Sequence, residues 1–117
     1  MNCIISDWGD LMEKISLNEL SRKIDSPWSP VDVGIFNNSV IRMAKVEGEF
    51  VWHKHDNSDE VFMVFDGELI LQTNEKNFDL KKGECIVVPK EVLHCPRSDS
   101  SAIVLLFELK ETKQYGD

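Results

Sequence analysis

From Val31 to Leu109 apolar and polar residues largely alternate one by one, and short turn-forming clusters interrupt the pattern. A period of two places successive side chains on opposite faces of a strand, so this feature constrains the fold more than any other. The predicted strands are 31–36, 39–46, 49–55, 60–65, 68–73, 77–80, 84–88, 92–97 and 102–109. Asp66-Gly67 is expected to form a hairpin turn between two of them. Many short strands without intervening helices predict an all-β fold, an antiparallel sandwich or barrel.

A short helix is predicted before the strands. Ser16 and Glu19 have the spacing of a capping box, and apolar residues then recur at helical intervals over 17–25. Because one face of this helix is apolar, we expect it to pack on the β domain. The predicted organisation is a helical lead-in (1–30), a β domain (31–110) and a polar tail (111–117).

The charge balance limits the partners of the chain. Its 21 acidic and 13 basic side chains give a net charge of −8, whereas nucleic acids and anionic membrane surfaces attract a basic excess. No apolar stretch reaches the roughly 18 residues of a membrane-spanning helix, and the amino terminus lacks the pattern of a signal peptide. Three cysteines without a Cys-x-x-Cys pair indicate neither a disulfide framework nor a zinc ribbon. We therefore expect a cytoplasmic protein that binds small molecules, cations or other proteins.

The three histidines are the residues most able to carry chemistry. His53 and His55 are two residues apart, so on one strand their imidazoles point to the same face and can converge on one ion. Glu60 opens the next predicted strand, where a hairpin would bring its carboxylate beside them. His94 lies far along the chain, just after a predicted turn.

The spacing of these residues closely resembles the two motifs of the cupin superfamily. The first reads His53-Lys54-His55, four residues, Glu60, six residues and Gly67. The second reads Gly83, five residues, Pro89-Lys90-Glu91, two residues, His94, three residues and Ser98. Within the superfamily the chain looks most like the small single-domain cupins labelled mannose-6-phosphate-isomerase-like.

Three positions depart from the cupin pattern. Gly48 precedes His53 by four residues instead of five, so the entry to that strand is expected to be shifted or bulged. Glu91 stands where the motif has a glycine, and a position that prefers positive φ would be strained or rearranged there. Ser98 replaces the closing asparagine. None of the three changes removes a ligand.

The resemblance implies a jelly-roll β-barrel that holds one divalent transition metal. By the same resemblance its ligands are His53, His55, Glu60 and His94. Three imidazoles and a carboxylate suit Fe, Mn, Ni, Co or Zn, and the sequence does not choose among them.

Strand alternation predicts the pocket around that metal. Val51 shares the inner face with the two histidines, and Phe62 and Val64 share it with Glu60. Phe62 is either a substrate contact or plain core. Arg42 is either an inward anchor for an anionic group of the ligand or a residue on a solvated face.

The outward face predicts a homodimer. Apolar side chains on two consecutive predicted strands form a patch that water would disfavour. The patch residues are Phe50, Trp52, Val61, Met63 and Phe65, with Trp8 or Trp28 beside them.

Two classes of function remain open for this pocket. One is a metal-dependent enzyme of dioxygenase or isomerase type, acting on a small organic acid, sugar or thiol. The other is a non-enzymatic module that binds or senses a small molecule. The complete ligand set favours the enzyme, and the lack of an obvious second catalytic group favours the binding module.

Overall fold

The computed structural model describes residues 12–117, which form one short helix and six strands. These elements are α1 (Leu17–Lys23), β1 (Val31–Phe36), β2 (Ser39–Glu49), β3 (Glu60–Thr73), β4 (Asn77–Lys81), β5 (Cys85–Val88) and β6 (His94–Leu109). Every pair of neighbouring strands is antiparallel. The predicted all-β antiparallel fold with a short preceding helix is therefore confirmed.

The strands form a single sheet in the order β1-β2-β6-β3-β4, and β5 pairs with β3 beside β4. The sheet bends over an apolar core but is not closed, because β1 and β4 at its two ends do not pair with each other. Alternating inward residues of the strands form that core. Its buried members are Ala44, Val46, Phe62, Val64, Leu69, Leu71, Leu80, Val88, Ala102 and Val104.

The predicted hairpin at Asp66-Gly67 is wrong, because β3 continues through it. The pairing with β6 shifts register on both sides of this dipeptide, so bulges absorb the turn-forming residues. Gly67 has φ of +83°, and a Cβ there would lie 2.3 Å from the carbonyl oxygen of Ser101. Glycine is thus required by the close approach of β6 and not by a turn.

β6 is likewise a single continuous strand, although two strands were predicted over this range. It runs through the cluster of serine and aspartate at 98–101 without a turn. Ser98 is buried, and its hydroxyl donates a hydrogen bond of 2.8 Å to the carbonyl oxygen of Glu68. The serine that replaces the motif asparagine therefore links β6 to the irregular part of β3.

The predicted strand over 49–55 is also wrong. β2 instead extends to Glu49, with a register shift between Val46 and Gly48 that confirms the expected bulge. Residues 50–59 contain no strand, and a single bridge joins His53 to His94.

Helix α1 begins where the capping box predicts and is shorter than expected. The Ser16 hydroxyl accepts a hydrogen bond of 3.2 Å from the Glu19 amide, and Ile24 is the C-cap. No residue of α1 is buried, so its packing on the sheet and the boundaries of the three regions stay predictions. Within residues 12–117 no helix has the length and apolarity that a membrane crossing needs.

Candidate metal centre

Two strand ends and one irregular segment bring the four predicted ligands together. Glu60 is the first residue of β3 and His94 the first residue of β6. His53 is tied to His94 by two backbone hydrogen bonds of 2.9 Å, each amide donating to the other residue's carbonyl. All four side chains are buried, and one ligand atom from each lies within 4.8 Å of the other three. Residues distant in sequence thus share one small volume.

The histidine tautomers leave nitrogen lone pairs directed at this volume. His53 Nδ1 lies 2.9 Å from the carbonyl oxygen of Val51, and His94 Nδ1 lies 2.8 Å from that of Val92. A carbonyl oxygen only accepts hydrogen bonds, so each Nδ1 carries the proton and each Nε2 is free to bind a metal. Such backbone contacts also fix the orientation of ligating imidazoles.

Three polar atoms at the centre are buried without a hydrogen-bond partner among residues 12–117. They are His55 Nε2, His94 Nε2 and Glu60 Oε1. Glu60 Oε1 lies 3.4 Å from His55 Nε2 and 3.5 Å from His94 Nε2. Leaving such groups unpaired costs about 1–3 kcal/mol each. A divalent transition metal would satisfy all three at once, so the residues fit the ion that the motif predicts.

The electrostatics of the four side chains favour an ionised Glu60 beside the imidazoles. Burial opposes ionisation of Glu60, but its contacts with His55 and His94 outweigh burial and lower the pKa of the carboxyl group. The carboxylate of Glu60 in turn raises the pKa of His55, against the effect of burial. Burial lowers the pKa of His53, which keeps that imidazole neutral and able to coordinate.

A cavity of about 240 Å³ opens beside His53 and Glu60. Most of its wall is apolar, with a few polar groups, which is the usual make-up of a site for a small molecule. The apolar lining residues are Trp28, Pro30, Ala44, Val46, Phe50, Phe62, Pro96, Val104 and Leu106. The polar lining residues are Arg42, His53, Glu60, Glu108, Thr112 and Gln114.

Only some of the predicted pocket residues line the cavity. Phe62 lines the cavity, and its ring meets that of His94 edge-on at 5.8 Å. Val64 is buried in the core at 1% exposure and does not line the cavity. Val51 is 45% exposed, so the prediction that it points inward is wrong. Because residues 50–59 are not a strand, alternation fails there, and Phe50 lines the cavity in its place.

Arg42 lines the cavity, which agrees with the first of its two alternatives, but the rest of the chain already uses most of its donors. Its Nε donates to Asp32 at 3.0 Å and its Nη1 to Glu108 at 2.8 Å. Its Nη2 donates to the carbonyl oxygen of Lys110 at 3.0 Å. The guanidinium therefore binds groups of the protein itself, which leaves little capacity for an anionic ligand.

Glu108 is a buried carboxyl group of the cavity that lies outside both sequence motifs. It lies on the inner face of β6 and is 7% exposed. Burial, together with the neighbouring carboxylate of Glu60, raises the pKa of Glu108 to about 9, against the effect of Arg42. The signal was present in the sequence, since Val104, Leu106 and Glu108 follow the period of two.

A family model described as Cupin domain matches residues 39–109, and the chain therefore belongs to the cupin family. The structure resembles that of a cupin-2 domain containing protein from Shewanella frigidimarina, with a TM-score of 0.81 and 35% identity. That match covers 82% of this chain and 94% of the other. The likeness to mannose-6-phosphate-isomerase-like cupins is not confirmed by these matches.

The chain resembles two further proteins. The chain is 28% identical to the uncharacterized protein YdbB of Bacillus subtilis, over 84% of this chain and 88% of that protein. Hydroquinone 1,2-dioxygenase PnpCD, solved with Cd²⁺ and 4-hydroxybenzonitrile, has a TM-score of 0.68 over 85% of this chain and 72% of its own. At 17% identity this second likeness shows the fold alone.

Proposed function

We propose that the chain binds one divalent transition metal and takes up a small organic molecule in the adjoining cavity. His53, His55, Glu60 and His94 would hold the ion. The observation that carries the proposal is the convergence of three buried, unpartnered ligand atoms beside an apolar cavity. When bound, the ion supplies Lewis acidity or, if it is redox-active, reactivity toward dioxygen.

An enzyme is a better fit to the cavity than a passive binding module. Glu108 lines the same cavity as two of the candidate metal ligands, His53 and Glu60, so a second group able to hold or move a proton is present. Arg42 holds this carboxyl group in place, since its Nη1 donates a hydrogen bond of 2.8 Å to Glu108 Oε1. Glu108 thus supplies the catalytic group that the sequence motifs alone do not provide.

The cavity wall favours a substrate with an apolar body. Trp28, Phe50 and Phe62 offer aromatic surface, whereas a sugar would need many hydrogen-bond partners. We therefore place a small organic acid or thiol with an apolar body ahead of a sugar. A dioxygenase-type reaction, the activity named for the neighbour PnpCD, is the first reaction to test.

The test compares the Fe(II)-loaded and Zn(II)-loaded protein in dioxygen consumption over a panel of small acids, thiols and diketones. The expected result is dioxygen consumption above the free-iron background with the Fe(II) form and none with the Zn(II) form. Glu108→Gln should lower the rate while Fe(II) uptake is kept, because the ligand set is intact. If no dioxygen is consumed and one of the compounds raises the melting temperature of the Zn(II) form, the chain is a binding module and not an enzyme.

We also propose that the chain is a cytoplasmic homodimer. Cys85 and Cys95 are both free, which suits a reducing compartment. Of the predicted patch, Trp52 is 44% exposed, whereas Phe50 faces the cavity and Trp28 stacks on Phe50 at 4.6 Å. Trp8 lies outside the described residues. Light scattering should show twice the chain mass of 13.4 kDa, and Trp52→Glu should reduce it to the monomer; a monomeric wild type would refute the dimer.

A further inference from the structure

Residues 110–117, here called the C-terminal segment, are held against the candidate metal centre. Arg42 donates to the carbonyl oxygens of Lys110 at 3.0 Å and of Thr112 at 3.5 Å. The side-chain amide of Gln114 donates to the carbonyl oxygen of Trp28 at 2.7 Å. The sequence predicts a polar tail here, but these bonds make the segment one wall of the cavity.

The far end of this segment packs on the backbone that carries the histidines. The amide of Asp117 donates to the carbonyl oxygen of Lys54 at 3.0 Å. A Cβ on Gly116 would lie 2.6 Å from that same oxygen and 2.8 Å from the Cβ of His53. The segment is therefore anchored at both ends, and the residues between its anchors have fixed positions beside the ligands.

Thr112 lies between the anchors and has a hydroxyl group with no partner. Its Oγ1 is buried and makes no hydrogen bond to any residue of 12–117. Within that part of the chain, the other buried side-chain atoms without a partner are the three ligand atoms named above. Thr112 lines the 240 Å³ cavity together with His53, and a second cavity of about 80 Å³ together with His55. Thr112 thus lines both cavities and, like the three ligand atoms, has a buried polar atom without a partner among the described residues.

We propose that Thr112 is a ligand-binding residue, whose hydroxyl hydrogen-bonds the small molecule that occupies the cavity beside the candidate metal ligands. This inference rests on the proposed metal centre. A hydroxyl both donates and accepts, and most donors of Arg42 are already used by the protein itself. The matching ligand class is therefore an apolar-bodied molecule with a metal-binding oxygen and an adjacent N–H or O–H group, rather than one that needs a cationic anchor.

The experiment uses the full chain loaded with Co(II) and titrated with benzohydroxamic acid, followed by the visible spectrum of the cobalt. Thr112→Val removes the hydroxyl at constant shape, and Thr112→Ser keeps the hydroxyl. We expect Thr112→Val to weaken binding of benzohydroxamate about tenfold, the effect of one lost hydrogen bond, and Thr112→Ser to stay within about threefold of wild type. Co(II) affinity should be unchanged in both variants, because neither change touches a metal ligand.

A structural role for Thr112 would give a different pattern. Because Thr112→Val removes an unpaired buried hydroxyl, the melting temperature of the metal-free protein should not fall, while binding of the probe weakens. Equal affinity of the wild type and Thr112→Val for benzohydroxamate, with normal Co(II) uptake, would overturn the role of Thr112 alone. Failure of the wild type to take up Co(II) would overturn the proposed metal centre, and this inference with it.

Discussion

Replacing Gly67 with alanine tests why β3 continues through a dipeptide that resembles a turn. Gly67 and Gly83 have almost the same backbone angle, with φ of +83° and +85°, but different surroundings. A Cβ on Gly67 would lie 2.3 Å from the carbonyl oxygen of Ser101 and 2.9 Å from the Cα of Ala102, both backbone atoms. A Cβ on Gly83 would meet no atom of the described residues within 4 Å. Gly83→Ala is therefore the matched control for the effect of φ alone.

The two substitutions should differ in their loss of stability. An alanine at positive φ costs about 1–2 kcal/mol, and the restricted unfolded chain returns about 0.4–1 kcal/mol, so Gly83→Ala should lose about 0.5–1 kcal/mol. Gly67→Ala adds a clash with backbone that costs about 1–3 kcal/mol more. Its free energy of unfolding should fall by about 1.5–4 kcal/mol in total.

Urea unfolding of the metal-free protein, followed by tryptophan fluorescence, measures both losses. The slope of unfolding free energy against urea should be the same for both variants, so that the midpoints report stability. Equal losses in Gly67→Ala and Gly83→Ala would refute the close approach of β6 as the reason for glycine in β3.

Three further predictions concern Glu91, the metal centre and the two described cysteines. Glu91 has φ of +71°, so Glu91→Gly should raise the free energy of unfolding by about 0.5–1 kcal/mol, measured as a higher urea midpoint; no rise would show that the position is unstrained. Glu60 raises the pKa of His55, so protons should compete with Co(II) for this imidazole already above the ordinary histidine pKa of about 6.5. The affinity for Co(II), measured from pH 8 to pH 5, should therefore fall steadily. A constant affinity would exclude imidazole ligands. In a Cys3→Ser background, a thiol-alkylating reagent should modify the exposed Cys85 of the native protein. It should spare Cys95, because Cys95 is buried and burial raises the pKa of its thiol. Equal labelling of the two cysteines, measured by mass spectrometry, would contradict the burial of Cys95.

The sequence was sufficient to locate the four candidate ligands because their spacing is a local property of two motifs. The bounds of β1 were predicted correctly, since Val31–Phe36 is a short strand between clear turn residues. Continuity of β3 could not be predicted in this way, because the bulges around Gly67 depend on pairing with the distant strand β6. Val51 was misplaced because alternation holds only within a regular strand.

The polar groups of the cavity also include some that the sequence can predict and some that it cannot. Glu108 follows the alternation of β6 and was open to prediction from its neighbours. The contacts of Arg42 with the carbonyl oxygens of Lys110 and Thr112 involve backbone acceptors, which leave no signature in side-chain pattern. The sequence therefore predicted a polar tail, although the C-terminal segment contributes a wall of the cavity.

The metal content of the purified and reconstituted chain tests the central claim most directly. Elemental analysis after loading with Co(II) and removal of excess ion should give one equivalent per chain in the wild type. The double variant His53→Ala with His55→Ala should give none while its far-ultraviolet circular dichroism stays that of a folded β protein, because two of the four ligands are lost without removing core residues. A full equivalent retained by the folded double variant would contradict the assignment of the metal centre.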